Sequence, residues 1–478
     1  MTMGSKYDDQ QALFVTYKEA PRSAGHPFYE ALDGILKANG FDRYVERECD
    51  RFYSATGRPS LAPGVYFRCL LVGYFEGIDS ERGIAWRVSD SLSLRHFLGL
   101  GLAKSAPDHS TISRTRRLLD LEVHQHVFTW VLGVLASNGL LKGKTIGVDA
   151  TTLEANAALR SLVRRDDGQA YNDYLIALAK ASGIETPTRT DLARLDRKRP
   201  KKGSNAEWVN PHEPDARISK MKNGATDMAH KVEHAVDMDT GAVVGISLHG
   251  GNVHDTKSVG ATLDAAATNL VETRENLAKK RDDDDDDEPG SPIAERIEEV
   301  VADKGYHSND TFCALDEVGI RTYIAQPDRG RRNWKGKTTE RDLVYANHRR
   351  VKGRRGRRLM RKRGELLERP FAHNYETGGM RRTYLRRHDN ILKRLLVHVA
   401  GCNLGLLMRE LFGVGTPRSL QGRLAAFLLV LWTLVVSTWN RWRASGRGIA
   451  GRCADFLGLV CAALVGERRW APGQLVAD

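Results

Sequence analysis

The sequence predicts an α/β protein in which an all-α N-terminal domain precedes a sheet with flanking helices. Residues 145–151 alternate strictly between apolar and less apolar side chains, which is the period of a β-strand. Residues 297–325 contain two apolar runs separated by a helix-like stretch, and this order predicts two strands in parallel pairing. Before residue 140, apolar and polar residues mix without a period of two, which favours helices.

The composition is that of an ordinary globular protein. Of the 478 residues, 41% are hydrophobic and 28% are charged, which excludes a fully disordered chain, a collagen-like chain and a multi-span membrane protein. The six cysteines form no CxxC pair, which argues against a disulfide scaffold or a zinc ribbon and fits a reducing compartment. The first residues are polar, without the apolar core of a secretory signal, so we expect a cytoplasmic protein.

The N-terminal domain, residues 1–140, contains a candidate DNA-reading helix. Asp108 or Ser110 can cap a helix that carries Arg114, Arg116 and Arg117. A short helix followed by a basic one is typical of a helix-turn-helix, so we predict that these arginines contact DNA. The alternative is a plain helical bundle with basic surface residues.

The second domain, residues 141–412, begins with the strand at 145–151. Residues 160–225 are polar and weakly patterned, which predicts an insertion or an extended loop. Two apolar runs then flank Met238-Asp239-Thr240-Gly241, a hairpin signal. A helix is expected from about Thr256, with Asp255 as its candidate cap. His230 and His234 lie in the first hairpin strand, too far apart along a strand to chelate one metal ion.

Two further insertions are expected, at residues 281–290 and 327–363. The first contains six consecutive aspartates, which repel one another and predict a disordered loop. Between the insertions we expect a strand at 297–302, a helix near 310–318 and a strand at 320–325.

The second insertion overlaps a strongly basic segment, residues 329–363. It holds 16 Lys and Arg but two acidic residues, whereas the net charge of the whole chain is +13. Such a segment predicts contact with a polyanion, most commonly nucleic acid, although a solvated charged loop has the same composition. Trp334 can stack on a base or anchor the loop. The residues assigned to DNA contact here are Arg331, Arg332, Trp334, Arg354, Arg355, Arg357 and Arg358.

The C-terminal part, residues 413–478, is an apolar helical tail that follows a long helix at 390–411. Its longest apolar run, residues 424–439, has 16 residues and is shorter than the roughly 18–20 of a spanning helix. We expect a buried helix and no membrane partner, with membrane association as the rival hypothesis.

Three carboxylates stand out by their context. Asp149 lies in a strand among apolar neighbours, Asp303 follows a strand, and Glu368 lies on a helix after the basic segment. Carboxylates brought together from strands and a helix are what a two-metal site for phosphodiester chemistry requires. Each has another interpretation: a backbone-bonded residue at a strand end, the start of a turn, and an ion-paired residue on a solvated helix.

The motifs around these residues resemble those of bacterial insertion-sequence transposases of the DDE type. GVDATTLEAN at 147–156 is similar to their first motif, VADKGYHS at 301–308 to their second and ELLERPF at 365–371 to their third. PDHST at 107–111 and NLGLLMR at 403–409 are also typical of this group. The three motifs occur in the expected order, and the resemblance covers roughly residues 25–410.

The resemblance implies an RNase H-like domain, with a five-stranded mixed sheet and flanking helices. It implies that Asp149, Asp303 and Glu368 are catalytic and bind two Mg²⁺ ions, for which Mn²⁺ can substitute. It further implies cleavage of double-stranded DNA at transposon ends and attack of the freed 3′-OH on target DNA. Because two ends must be held, a homodimer or higher oligomer is expected on DNA.

The sequence departs from the family pattern near its third motif. Many members have a Tyr, an Arg and then the Glu at fixed short intervals, with a Lys seven residues after the Glu. This chain has Gly364 four residues before Glu368 and Tyr375 seven residues after it. Glu365 therefore remains a rival for the third carboxylate, and Asp255 for the second. Two other functions also remain open: a catalytically decayed or repurposed DNA-binding protein, and a metal-dependent nuclease without strand transfer.

Overall fold

The computed structural model describes residues 25–54, 56–57, 60–101, 104–198, 204–221, 224–284, 293–328, 330 and 332–421. The described residues up to Ser419 belong to one compact unit. The predicted apolar tail, including the run at 424–439, lies outside the described residues, as does Arg331.

Every regular element before residue 145 in the described residues is a helix. Side chains of Ser80, Ser91, Asp108 and Asp120 each accept a backbone N–H at the start of a helix, which explains where four of these helices begin. The helices are α1 (Pro27–Ala38), α2 (Phe41–Cys49), α3 (Pro63–Glu76), α4 (Glu81–Asp90), α5 (Leu92–Phe97), α6 (His109–Leu118) and α7 (Leu121–Ser137).

The strands form a six-stranded mixed sheet and a separate two-stranded ribbon. They are β1 (Thr145–Glu154), β2 (Val163–Arg164), β3 (Trp208–Val209), β4 (Arg217–Lys220), β5 (Thr226–Asp237), β6 (Val243–Gly250), β7 (Glu299–Ala302) and β8 (Arg321–Ile324). β2 pairs with β3, and the main sheet follows the order β4-β5-β1-β7-β8, with β6 also on β5. The β4, β5, β6 and β1 pairings are antiparallel, whereas β1-β7 and β7-β8 are parallel.

The expected hairpin and the expected parallel pair are both present in this sheet. The sheet has one strand more than expected, because the short β4 pairs beside the first residues of β5 and β6 pairs beside the rest. The main sheet therefore has six strands where five were expected.

The remaining helices cover the sheet and extend it. They are α8 (Tyr171–Ala181), α9 (Arg189–Lys198), α10 (Asp255–Asp284), α11 (Asn309–Glu317), α12 (Thr338–Lys352), α13 (Arg354–Phe371) and α14 (His388–Phe412). α10 covers the face of β6 at Gly245, where an added Cβ would meet the Ala266 backbone. α13 crosses the opposite face of β1, and α14 joins the sheet to α3 and α7.

Three segments differ from the loops expected of them. Residues 160–225 fold into α8, α9 and short strands around buried side chains such as Leu175 and Trp208. α10 continues into the aspartate run as far as Asp284, and residues 285–292 lie outside the described residues. The basic segment is mostly α12 and α13, because Arg and Lys favour helices and Leu359 and Leu367 supply a buried stripe.

Within the described residues, His388–Leu420 is long and apolar enough to cross a membrane. In this structure 83% of its most apolar window is buried inside the protein. Its Asn403 side chain bonds both the N–H and the carbonyl of Val243 in β6, at 2.9 and 2.8 Å. These contacts identify α14 as a core helix that anchors the sheet.

Candidate active site

Asp149 and Asp303 lie at the same level of the parallel pair β1–β7, at the point where β7 ends. Val148 of β1 is in register with Ala302 of β7, so the next residue of each chain segment is an aspartate at the same level. Residues in register on neighbouring strands point to the same face of a sheet. The structure thus places the backbones of Asp149 and Asp303, which are 154 residues apart in the sequence, at neighbouring positions.

The Asp149 side chain is only partly exposed, at 25%. Its Oδ1 accepts the N–H of Ala150 at 2.8 Å. Its Oδ2 lies 3.8 Å from Nη1 of Arg363 on α13, so the basic helix reaches the carboxylate. A guanidinium at this distance is positioned to offset negative charge at the edge of the sheet.

Asp303 begins a tight turn immediately after β7. Its Oδ1 accepts the N–H of Gly305 at 2.7 Å, and residues Lys304–Tyr306 form one 3₁₀ turn. Gly305 is required here, since a Cβ at this position would collide with the carboxylate of Asp255 and lie 3.0 Å from Asp303 Oδ1. The Asp255 and Asp303 carboxylates therefore face the same small volume.

Glu368 lies on the helix that covers this face, and its side chain is exposed. One residue before it, Leu367 packs on β1, where a Cβ added to Gly147 would lie 2.8 Å from its Cδ2. Three residues after it, the Phe371 ring stacks on His234, the register partner of Asp149, at 4.7 Å. Glu368 therefore lies in the part of α13 that packs on β1 through Leu367 and on β5 through Phe371.

The structure does not bring the Glu368 carboxylate into a cluster with the two aspartates. Among the described residues, no group of three or more His, Cys, Asp and Glu is close enough to hold a metal ion. The rival Glu365 is exposed and pairs with Arg369 at 2.8 Å, one helical turn away. The rival Asp255 is the first residue of α10 and pairs with Lys231 at 2.6 Å.

Tyr375, which stands where the family pattern has a lysine, has a structural partner. Its hydroxyl lies 3.1 Å from Nε2 of His234, and both side chains are buried. Burial lowers the pKa of His234 to about 3, so the imidazole is neutral and only one ring nitrogen carries a proton. Pro370 lies inside α13 near its end, and a π-helical segment, Ala372–Thr377, follows the helix.

Most predicted DNA-contact residues of α13 are on the surface, with one structural exception. Arg354, Arg357 and Arg358 are exposed. Arg355 instead makes a paired contact with the buried carboxylate of Glu299, with its Nε 3.0 and 3.2 Å from the two oxygens. This ion pair fixes the start of α13 on β7, which is a structural role that the segment's charge did not reveal.

The segment before α12 packs near the candidate site. The Arg332 guanidinium lies 3.4 Å from His307 Nδ1 and stands over the Trp334 ring at 5.4 Å. The Trp334 ring is partly exposed and lies 6.2 Å from the ring of Tyr345. Trp334 therefore both anchors its segment and presents an aromatic edge to solvent.

The basic helix of the N-terminal part is α6, capped by Asp108 at the N–H of Ser110 as expected. Arg114 and Arg117 are exposed on it. Arg116 is buried and forms an ion pair with Glu81 of α4. In this structure the Arg116 guanidinium thus has a structural partner and little exposed surface, unlike those of Arg114 and Arg117.

Sequence analysis missed a buried polar network behind the two aspartates. It contains Lys231 and Glu233 of β5 and Tyr306, all at most 5% exposed. The available signal was a pair of opposite charges, Lys231 and Glu233, two residues apart in a predicted strand, a spacing that places both on one face.

Comparison with known proteins bears on the N-terminal part of the chain. Residues 18–118 match the family model of a transposase domain, DUF772. This match reaches from before α1 to the end of α6 and supports a transposase. No curated protein matches the chain.

One solved structure matched over most of the chain is the cryo-EM structure of a piggyBac transposase synaptic complex with hairpin DNA. It is 11% identical, with a TM-score of 0.31, over 94% of this chain and 87% of that chain. At this TM-score and identity, the likeness does not show that the two proteins share a fold or a function.

Proposed function

We propose that this protein is the DNA transposase of an insertion sequence, a DDE-type enzyme that binds terminal inverted repeats and catalyses strand cleavage and 3′-OH strand transfer. The observation that carries the proposal is the pair Asp149, within β1, and Asp303, directly after β7, which the parallel register of these strands places at the same level, with Arg363 of the basic helix α13 lying 3.8 Å from Asp149. The match of residues 18–118 to a transposase domain supports the same function.

The proposed fold of the catalytic part is RNase H-like. Five of the strands, β6, β5, β1, β7 and β8, form a mixed sheet with helices on both faces, which supports this assignment. β4 is then a short addition supplied by the segment between β1 and β5.

The proposed cofactor is Mg²⁺, as two ions, with Mn²⁺ as a substitute. Partly exposed carboxylate oxygens of Asp149 and Asp303 suit a hard divalent cation, and Glu368 on α13 is the proposed third ligand. When bound, such ions activate an attacking oxygen and stabilise a leaving oxygen in phosphodiester displacement. Movement of α13 on DNA binding would have to bring Glu368 to the aspartates.

The chain's own residues provide the proposed DNA contacts. Exposed Arg354, Arg357 and Arg358 near the start of α13 would hold DNA phosphates, and Arg114 and Arg117 on α6 would contact the transposon ends. The protein is proposed to act in the bacterial cytoplasm as a homodimer or higher oligomer on DNA.

The test is a cleavage and joining assay with Mg²⁺ on DNA that carries the element's own ends. Asp149→Ala, Asp303→Ala and Glu368→Ala are each expected to abolish cutting while end binding survives. Glu365→Ala removes the rival carboxylate from the same helix and is expected to cut like the wild type, whereas loss of cutting in this variant would make Glu365 the third ligand. A wild-type protein that binds but never cuts would favour the DNA-binding alternative, and cutting without 3′-OH joining would favour the nuclease.

A further inference from the structure

A charged network is buried on the face of the sheet opposite α13. Lys231 and Glu233 point from β5 towards α10, whereas His234 points towards α13. Lys231 is 5% exposed and Glu233 is 0% exposed. Charges in the interior of a protein are costly unless each is paired. The partners of Lys231 and Glu233 therefore show which segments the network connects.

Lys231 binds the beginning of α10. Its Nζ lies 2.6 Å from Asp255 Oδ1, donates to Ser258 Oγ at 2.7 Å and lies 3.3 Å from Glu233 Oε1. The three contacts use the three protons of the ammonium group. They fix the side chain of Asp255 from one side.

Glu233 binds the turn that follows β7. Its Oε1 accepts the hydroxyl of Tyr306 at 2.8 Å and that of Ser258 at 2.8 Å, while Oε2 accepts the hydroxyl of Thr262. Tyr306 ends the 3₁₀ turn that Asp303 begins. The network therefore holds one end of the Asp303 turn directly.

The free side of Asp255 meets the other part of that turn. Its Oδ2 faces Gly305 so closely that a Cβ there has no space, and Gly305 donates its N–H to Asp303 Oδ1. Asp255 and Tyr306 thus hold the turn from two sides, and the N–H of Gly305 in this turn orients the Asp303 carboxylate. Lys231 contacts Asp255 directly and Tyr306 through Glu233.

We propose that Lys231 is a positioning residue, which acts through Asp255 to hold the Asp303 turn and so sets the carboxylate of Asp303 beside Asp149. The importance of Asp303 for catalysis rests on the proposed function, whereas the positioning itself does not. Neutralisation of Asp255 by Lys231 also lets two carboxylates face one small volume with less repulsion.

The direct test is hydrogen exchange of the full chain, read on peptides that contain residues 303–306. Lys231→Met and Asp255→Asn are each expected to speed exchange in this turn by roughly tenfold, which corresponds to about 1.4 kcal/mol of local opening. Helices α1 and α2, which contain none of these residues, are expected to exchange as in the wild type. Asp264→Asn, on the exposed side of α10, is the matched control and is expected to change neither region.

An unchanged turn in both variants would overturn the proposal. So would equal acceleration in α1 and α2, since that is the result of a general loss of stability. Asp255→Asn carries the test if Lys231→Met does not fold, because Asn is also a good residue at a helix start and Asp255 is partly exposed.

A second measurement is Mn²⁺ binding by electron paramagnetic resonance, without DNA. Lys231→Met is expected to weaken binding by roughly tenfold, and to have no further effect in an Asp303→Asn background. Tighter binding would show that Lys231 acts only as a nearby cation, and would contradict positioning. If the wild type binds no Mn²⁺ without DNA, the two aspartates do not hold the ion by themselves, and the exchange of the turn alone decides the role of Lys231.

Discussion

Replacement of Arg355 by methionine tests whether a basic residue of α13 supports the fold rather than DNA binding. Arg355 is half exposed, but its guanidinium contacts both oxygens of Glu299, whose side chain is 3% exposed. Glu299 also accepts the hydroxyls of Thr145 at 2.8 Å and Tyr323 at 3.3 Å. Loss of the arginine therefore leaves a buried carboxylate that keeps only two neutral donors.

The magnitude follows from these contacts. A hydrogen-bonded pair of charges contributes about 1.5–3 kcal/mol, and exposure of Arg355 to solvent reduces this, so we expect a loss of about 1–2 kcal/mol in the free energy of unfolding. Arg357→Met is the matched control, since Arg357 is an exposed arginine on the same helix. The control is expected to unfold like the wild type in a urea titration.

The difference should also depend on pH. Burial raises the pKa of Glu299, while the hydrogen bonds from Arg355 and Thr145 lower it, and the net shift is downwards. A lowered folded-state pKa gives stability that is present above the unfolded value of about 4.3 and is lost as the pH falls through the folded value. Equal stability of Arg355→Met and Arg357→Met at pH 7 would refute the reasoning.

Three further predictions concern DNA and the fold. Arg357→Gln should weaken DNA binding and reduce the slope of log affinity against log salt by about 1, as measured by fluorescence anisotropy. An unchanged slope would show that Arg357 does not contact a phosphate. Arg116→Gln should lower stability by about 2–3 kcal/mol because it breaks the buried pair with Glu81, whereas Arg117→Gln should weaken binding to transposon ends without a change in unfolding. Trp334→Ala should weaken binding to single-stranded DNA by about 1–3 kcal/mol, and normal binding, cleavage and strand transfer would exclude base stacking.

Elements with a strong local pattern were predictable. The alternating run became β1, the Asp239-Thr240-Gly241 turn joins β5 to β6, and Asp108 caps α6. The folded structure of the segment at 160–225 was not predictable, because its apolar residues show no clear period in the sequence. The structure shows that Leu175 and Ala179 of α8 pack with Leu192 of α9. Each short helix there depends on contacts from another part of the segment.

The candidate site was predictable in part. Asp149 and Asp303 were recognised by their positions in and after strands, and the parallel register places them level. The position of Glu368 was harder to derive, since a helix that packs through Leu367 and Phe371 can present its neighbouring side chain to the site or to solvent. Here it presents Glu368 to solvent.

The sequence by itself determined the features that depend on neighbouring residues: the strand period, the helix starts, the dense charge of residues 329–363 and the carboxylates next to strands. Only the tertiary structure decided which charges are available. Arg116 and Arg355 are committed to Glu81 and Glu299, and Lys231 is committed to Asp255, in each case through a partner distant in the chain. The reason is physical, because periodicity and capping act over a few residues, whereas an ion pair forms wherever packing brings opposite charges together and excludes water.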